Sequence, residues 1–277
     1  MNGSKASEEN DFLAVEEPLE IRVEDHSVAV VMRTPGDDRE LAAGFLISEG
    51  LVKAADDIID ILRPHCLFSE MDATGSPPAG EDNAINVLLR KPASLDFKRL
   101  TRHLFTSSSC GICSKASIEA VRQQFPSVED DCQVDPQTLM GLPEALGSAQ
   151  ETFKNTGGLH ACALFDRTGK LLVLREDVGR HNALDKVVGW ALLGDRLPLR
   201  QHILLLSGRT SFEMMQKALA AGLPIVAAIS APTSLAVEFA RDSGQTLIGF
   251  LRGERMNIYA GAERVRRVKT KGRLDFR

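Results

Sequence analysis

The sequence is poor in cysteine. Five occur in 277 residues, far too few for a disulfide scaffold, and an odd count leaves at least one thiol over. These thiols are expected to stay reduced, and some of them to do chemistry. Long apolar runs are also missing. Stretches such as Leu223-Pro224-Ile225-Val226-Ala227-Ala228-Ile229 fall well short of the roughly 18 consecutive apolar residues a spanning helix needs. No basic segment followed by an apolar one opens the chain. Instead Asn2 to Glu20 carries six acids (Glu8, Glu9, Asp11, Glu16, Glu17, Glu20) against Lys5. The expectation is an acidic flexible tail over residues 1–17 on a cytoplasmic protein with no membrane partner. Positive charge is not in excess either: the net charge is −5, which implies no general affinity for nucleic acid. Familiar signatures fail as well. There is no G-x-x-x-x-G-K-[ST] and no G-x-G-x-x-G, and no G-x-S-x-G elbow.

What is present is a globular composition, 43% hydrophobic and 26% charged, long enough for one large domain or two smaller ones. Leu19–Asp25 and Val28–Thr34 read as a hairpin. Pro35-Gly36-Asp37 breaks the pattern, and Arg39–Ser48 has helical spacing with Gly50 past its end. Ile58–Leu62 and Ala84–Arg90 are short strands flanking a loop over Pro64–Asn83, rich in Pro and Gly. Pro126–Pro136 breaks structure and Pro136–Thr152 reads as a helical hairpin. From Thr156 the pattern is cleaner. Leu159–Asp166 and Lys170–Arg175 flank the turn Arg167-Thr168-Gly169. A helix over Val178–Leu193 follows. Then come strand Ile203–Ser207, helix Phe212–Ala221, strand Pro224–Ile229, helix Thr233–Asp242 and strand Thr246–Leu251. Such alternation predicts βαβ units and a largely parallel sheet with both faces covered. The organisation read from this is the tail 1–17, a small α+β domain over 18–100 and a larger α/β domain over 101–277 with a basic C-terminal end. From Arg252 to Arg277 nine Lys/Arg face three acids.

The one C-x-x-C is Cys110-Gly111-Ile112-Cys113. Thr106-Ser107-Ser108-Ser109 leads in and an amphipathic run over Lys115–Phe125 follows, which places Cys110 near a helix N-terminus. There the macrodipole and free N–H groups favour a thiolate, the nucleophile of thiol and persulfide exchange. Structural zinc would need a second C-x-x-C or an H-x-x-x-H, and neither exists. Dithiol exchange needs only the pair and stays open. Cys162 reads as a buried small hydrophobe, and Cys66 and Cys132 have no evident partner.

A second set of polar residues falls at successive strand-to-helix turns, where open α/β sheets bind ligands. His160 follows Gly157-Gly158-Leu159. Asp177, His181 and Asp185 lie in Arg175–Lys186, with His181 and Asp185 four apart on one helix face and Asp177 placed to cap that helix. Ser207 and Arg209 belong to Ser207-Gly208-Arg209-Thr210-Ser211-Phe212-Glu213, and Ser230 and Thr233 to Ser230-Ala231-Pro232-Thr233-Ser234. Recurrent Ser, Thr, Arg and Gly at such turns suit phosphate and ribose oxygens, since helix N-termini present free N–H groups there. Arg252 and Arg255 read as charges for a polyanionic ligand.

These segments in order resemble the formate dehydrogenase accessory sulfurtransferase family, FdhD. The resemblance rests on Ser108–Cys113, Thr156–Ala161, Glu176–Lys186, Ser207–Met214, Ser230–Val237, Gly249–Arg255 and the earlier Glu40–Gly50. It implies a sulfurtransferase, with Cys110 as persulfide carrier and Cys113 in a supporting role. It further implies a cysteine desulfurase as sulfur donor and formate dehydrogenase as recipient. Bis-molybdopterin guanine dinucleotide carrying molybdenum would be the bound substrate, held by Phe250, Leu251, Arg252, Gly253, Glu254 and Arg255, with no resident metal. The larger domain is similar to the cytidine deaminase fold, a mixed sheet with helices on both faces. A homodimer stays open. Ser114 stands where the family usually has Gly. The fold similarity raises a zinc deaminase as rival, but Ser109 precedes Cys110 where that chemistry has Pro, and no histidine is followed two residues later by Glu. The other rivals are a non-catalytic chaperone for the guanine dinucleotide cofactor and a dithiol oxidoreductase.

Overall fold

The computed structural model describes residues 10–63, 83–92 and 125–266. The C-x-x-C segment, Lys115–Gln124, the stretch 64–82 and the last eleven positions lie outside the described residues. Among the described residues no helix is long and apolar enough to cross a membrane.

Strands β1 (Glu17–Val23) and β2 (His26–Arg33) form the expected hairpin. Glu24 and Asp25 turn it with φ of 50° and 64°, the left-handed pair that short hairpins demand. Helix α1 (Asp38–Ser48) follows. Acidic Asp38 and Glu40 in its first turn complement the macrodipole, and Gly50 at φ 74° ends it. Strands β3 (Ile58–Leu62) and β4 (Ala84–Leu89) complete a four-stranded sheet of order β2-β1-β4-β3.

The second sheet has six strands: β5 (His160–Asp166), β6 (Leu171–Asp177), β7 (His202–Leu206), β8 (Ile225–Ala228), β9 (Thr246–Arg252) and β10 (Arg255–Ala260). Its order is β10-β9-β8-β7-β5-β6. Only β7–β8 and β8–β9 pair in parallel. β5 runs antiparallel to both β6 and β7, and β10 to β9. The sheet is therefore mixed, which corrects the parallel reading. The Thr168-Gly169 hairpin turns the chain back before the first crossover, and a local hairpin is antiparallel by construction. Strand β10 was hidden in the basic run.

Helices α2 (Pro136–Ala149), α3 (Glu151–Thr156), α4 (Arg180–Leu193), α5 (Phe212–Ala220) and α6 (Ser234–Asp242) accompany this sheet. Asp135 caps α2 by accepting from the Gln137 N–H at 2.9 Å, with Pro136 opening the helix. Two helices form where the helical hairpin was expected, and only Gln150 separates α2 from α3.

Both faces of the sheet are covered. Leu204, Leu206, Val226 and Ala228 join α1, α4, α5 and α6 in one core cluster. Ile203, Leu205, Ile225 and Ala227 join Leu139, Leu142 and Leu146 of α2 in the other. This is the alternation a pleated strand imposes, and strands buried on both faces read as continuously apolar.

The first cluster also holds Leu19, Ile21, Ile85 and Val87 of the four-stranded sheet, so one core serves both sheets. Its seam is α1 against α4. A Cβ added at Gly44 would lie 1.8 Å from the Asp185 carbonyl oxygen, and one at Gly189 would lie 1.8 Å from that of Glu40. Neither position has room for any side chain. Beside Gly189 sits Trp190, the one tryptophan of the chain, packed on this core with the Arg196 guanidinium 4.1 Å from its ring centroid.

Candidate functional site

Because β7, β8 and β9 run parallel and β5 runs against β7, positions far apart in sequence meet at one sheet edge. Arg252 ends β9, Ser230 and Ser207 follow β8 and β7, and His160 opens β5 opposite Asp177 at the end of β6. Helices α4, α5 and α6 start from the same edge, with N-caps Gly179, Ser211 and Thr233. Such an edge collects free N–H groups and positive dipole ends.

Its loops are knitted together. The Thr210 N–H donates to the Ala231 carbonyl at 3.2 Å, and the Thr233 N–H to that of Thr210 at 3.0 Å. The Phe250 N–H reaches the Ser230 carbonyl at 3.1 Å, and Arg252 Nε the Ile229 carbonyl at 2.9 Å.

Buried polar atoms are almost always paired. Among the described residues the buried side-chain N and O atoms without a hydrogen-bond partner are Arg180 Nε, His181 Nε2, Thr210 Oγ1 and Ser211 Oγ. All four lie on the two turns that lead from β6 into α4 and from β7 into α5. Ser211 is an N-cap whose side chain makes no capping bond. Gly179, the N-cap of α4, has no side chain to offer. The cost of orphaning polar groups is concentrated where a ligand would satisfy them.

The β9–β10 hairpin adds charge. Arg252 and Arg255 are partners in its register, and like charges directly across a sheet repel. An anion between them removes that penalty. Between the two arginines, Gly253 turns at φ 52°. Phe250 also sits at φ 52° and is 42% exposed, a conformation that costs a bulky residue and clusters at ligand sites. Leu251, in contrast, is buried.

Two histidines face this corner. Burial, then Arg180 and Arg209, lowers the His160 pKa. Burial, then Lys217, Arg180 and His160, pushes His181 down to about 3. Its Nε2 is 3.4 Å from Glu213 Oε2 without hydrogen-bond alignment. The imidazole is thus neutral in the folded protein. The unfolded chain takes up the proton near the ordinary value of 6.5. Stability from this group is therefore full above that value and lost as pH falls towards about 3. Between pH 7.5 and about 5, His181 is expected to remove about 2 kcal/mol of unfolding free energy. Urea titrations at both pH values check this: His181→Gln should shrink the difference by that amount.

Two of the other predicted ligand residues, Asp177 and Asp185, turn inward. Asp177 is fully buried, ion-paired to Lys186 at 2.8 Å, and accepts from the Gly179 N–H and from Asn182 Nδ2. It braces the turn before α4 but is not the N-cap. Asp185, 2% exposed, accepts from Lys217 and Ser48. Burial lifts its pKa to about 6 against the pull of Lys217. Ser207 Oγ accepts from the Ala161 N–H and Thr233 Oγ1 from the Ala236 N–H, so both hydroxyls serve local backbone. Arg209, Arg252, Glu254 and Arg255 are exposed.

Cys110, Cys113 and Cys66 lie outside the described residues. Cys132 and Cys162 are buried free thiols. Burial and then Asp130 push Cys132 up to about 11, and burial first, then Asp185, raises Cys162. Sequence reasoning did not single out Arg180, Thr210, Ser211, Glu213 or Lys217 as site residues. Their signal was the Thr-Ser lead into α5 and the i, i+4 pair on it, whose burial no sequence pattern reveals.

Comparison with known proteins adds three findings. The model of the FdhD/NarQ family matches residues 14–266. The chain is 51% identical over 257 residues to the "Sulfur carrier protein FdhD" of Mycolicibacterium paratuberculosis, covering 92% of each chain. It is 43% identical to the protein of the same name from Saccharolobus solfataricus, covering 95% of this chain and 94% of the other. A crystal structure of a candidate formate dehydrogenase accessory protein from Desulfotalea psychrophila superposes with a TM-score of 0.70 at 27% identity, covering 92% and 91% of the two chains.

Proposed function

This chain belongs to the FdhD/NarQ family, and from that membership we propose that it carries sulfur for formate dehydrogenase. Cys110 takes persulfide sulfur from a cysteine desulfurase and delivers it to molybdenum-loaded bis-molybdopterin guanine dinucleotide, which then enters the recipient enzyme. The observation that carries this reading is the sheet edge itself. Three helix N-termini open onto it and Arg252 pairs with Arg255 in the hairpin beside it, an arrangement suited to the pyrophosphate of a dinucleotide. The orphaned polar atoms of Arg180, His181, Thr210 and Ser211 fit the remaining oxygens and donors of such a substrate. On the same reading, residues 18–100 form the smaller unit and 101–277 the cytidine-deaminase-like one.

The chemistry asked of the chain is small. The Cys110 thiolate attacks the terminal sulfur of the donor's persulfide. One S–S bond forms on Cys110 as the donor's S–S bond breaks. The donor leaves as a thiolate, and this exchange involves no net oxidation or reduction. Cys113 supports the transfer. Cys132 and Cys162 compete poorly, because burial keeps both protonated and the thiol is not the nucleophile.

Mass spectrometry after incubation with a desulfurase and cysteine tests the carrier. The wild type should gain about 32 Da, the mass of one sulfur, and Cys110→Ala should gain nothing. An adduct that persists in Cys110→Ala sinks the assignment. Full formate dehydrogenase activity supported by Cys110→Ala would instead favour a cofactor chaperone.

A further inference from the structure

A ladder of polar side chains runs from the ligand edge into the core. Helix α4 presents His181 and, one turn on, Asp185. Helix α5 presents Glu213 and, one turn on, Lys217. Residues four apart share a helix face, so the two pairs meet rung against rung. At the outer rung His181 Nε2 lies 3.4 Å from Glu213 Oε2, with side chains 17% and 25% exposed. At the inner rung Lys217 Nζ donates to both Asp185 oxygens at 2.9 Å, with both side chains 4% exposed. Ser48, the last residue of α1, donates to Asp185 Oδ1 at 2.9 Å. Phe45 of the same helix lies under the ammonium, 5.9 Å from it.

A buried ion pair is weak as a stabiliser, because desolvation offsets most of the attraction. Its value here is what it holds still. We propose that Lys217 is a positioning residue for the ligand edge: clamped on Asp185 and α1, it fixes Glu213 against His181 and so maintains a corner that accepts hydrogen bonds from the substrate. This rests on the reading of the edge as the nucleotide site. A carboxylate accepts, and a neutral imidazole accepts through the ring nitrogen that carries no proton. The corner therefore suits the N–H groups of a purine base or the hydroxyls of a ribose, while Arg252 and Arg255 suit the phosphates.

The charges around His181 agree. It is faced by Arg180 and Asp185 on its own helix, by Glu213 and Lys217 on α5 and by His160 on β5; Glu49, just past the end of α1, acts through Lys217. Burial first, and Lys217 next, disfavours the imidazolium. Lys217 keeps its own proton despite burial, because Asp185, Glu213 and Glu49 outweigh the desolvation.

The test uses the full chain and the double variant Asp185→Asn/Lys217→Met, which removes both charges while keeping volume and so avoids a lone buried charge. Imidazole 15N resonances of histidine-labelled protein are followed from pH 8 to about 4.5, with His181 assigned by its loss in His181→Gln. In the wild type His181 should stay neutral throughout; in the double variant it should titrate within the range. GDP affinity by calorimetry should be flat with pH in the wild type. In the double variant it should fall progressively towards pH 4.5, as the acceptor is protonated at a higher pH than in the wild type. Lys217→Arg should retain the wild-type profile. A double variant whose His181 resonance and GDP profile match the wild type overturns the proposal. If the wild type binds no GDP at any pH, the nucleotide reading of the edge fails, and the resonance titration still decides whether Lys217 governs His181.

Discussion

Replacing Gly189 with alanine is expected to cost the protein more than about 3 kcal/mol, the upper range for overpacking a rigid site. The added methyl would stand 1.8 Å from the Glu40 carbonyl oxygen. That atom belongs to helix backbone and cannot rotate away, so α1 must move off α4 as a unit. Gly44→Ala should do the same from the opposite side, against the Asp185 carbonyl. The two changes break one seam, so the double variant should cost clearly less than their sum. Denaturant midpoints of the three variants check this. Single losses below about 1 kcal/mol would show that the helices separate easily.

Lys186→Met is the second large effect. Lys186 and Asp177 are 1% and 0% exposed and lie 2.8 Å apart. The ammonium also donates to the Thr34 carbonyl at 2.9 Å. Removing one partner of a buried pair strands the other charge, at about 3–5 kcal/mol, which is about 10 °C in melting temperature for a chain of this size. Asp177→Asn/Lys186→Met should recover much of that loss. The same pair braces the turn that carries Arg180 and His181. The single variant should therefore also weaken GDP binding under conditions where it remains folded.

The strand and helix positions of the C-terminal half were legible because buried strands and helices of that length leave little ambiguity in pattern. The convergence of these turns was legible too, since each strand-to-helix turn carries its polar residues in a fixed place: His160, Ser207, Ser230 and Arg252 do end at one edge. Pairing direction was not. Alternation is local, whereas the insertion of β5 between β6 and β7 is decided by long-range contacts. The division of labour among the polar residues was equally hidden. Asp177 and Asp185 share the motif of His181 but face cations in the core, and a helix period reveals which residues share a face, not how deep that face lies. Strand β10 failed to show because, along an edge, Arg255 and Asn257 alternate with residues that are only partly buried, and Ala260 alone is fully buried.

The isolation of Trp190 has a spectroscopic consequence. With no second indole in the chain, red-edge excitation reads one location only, the ring stacked under Arg196 beside Gly189. Separation of α1 from α4 should wet that ring and shift its emission to longer wavelength, whereas nucleotide binding at the far end of α4 should leave it unchanged. The protein thus carries its own optical gauge for the junction between its two sheets, with no label required.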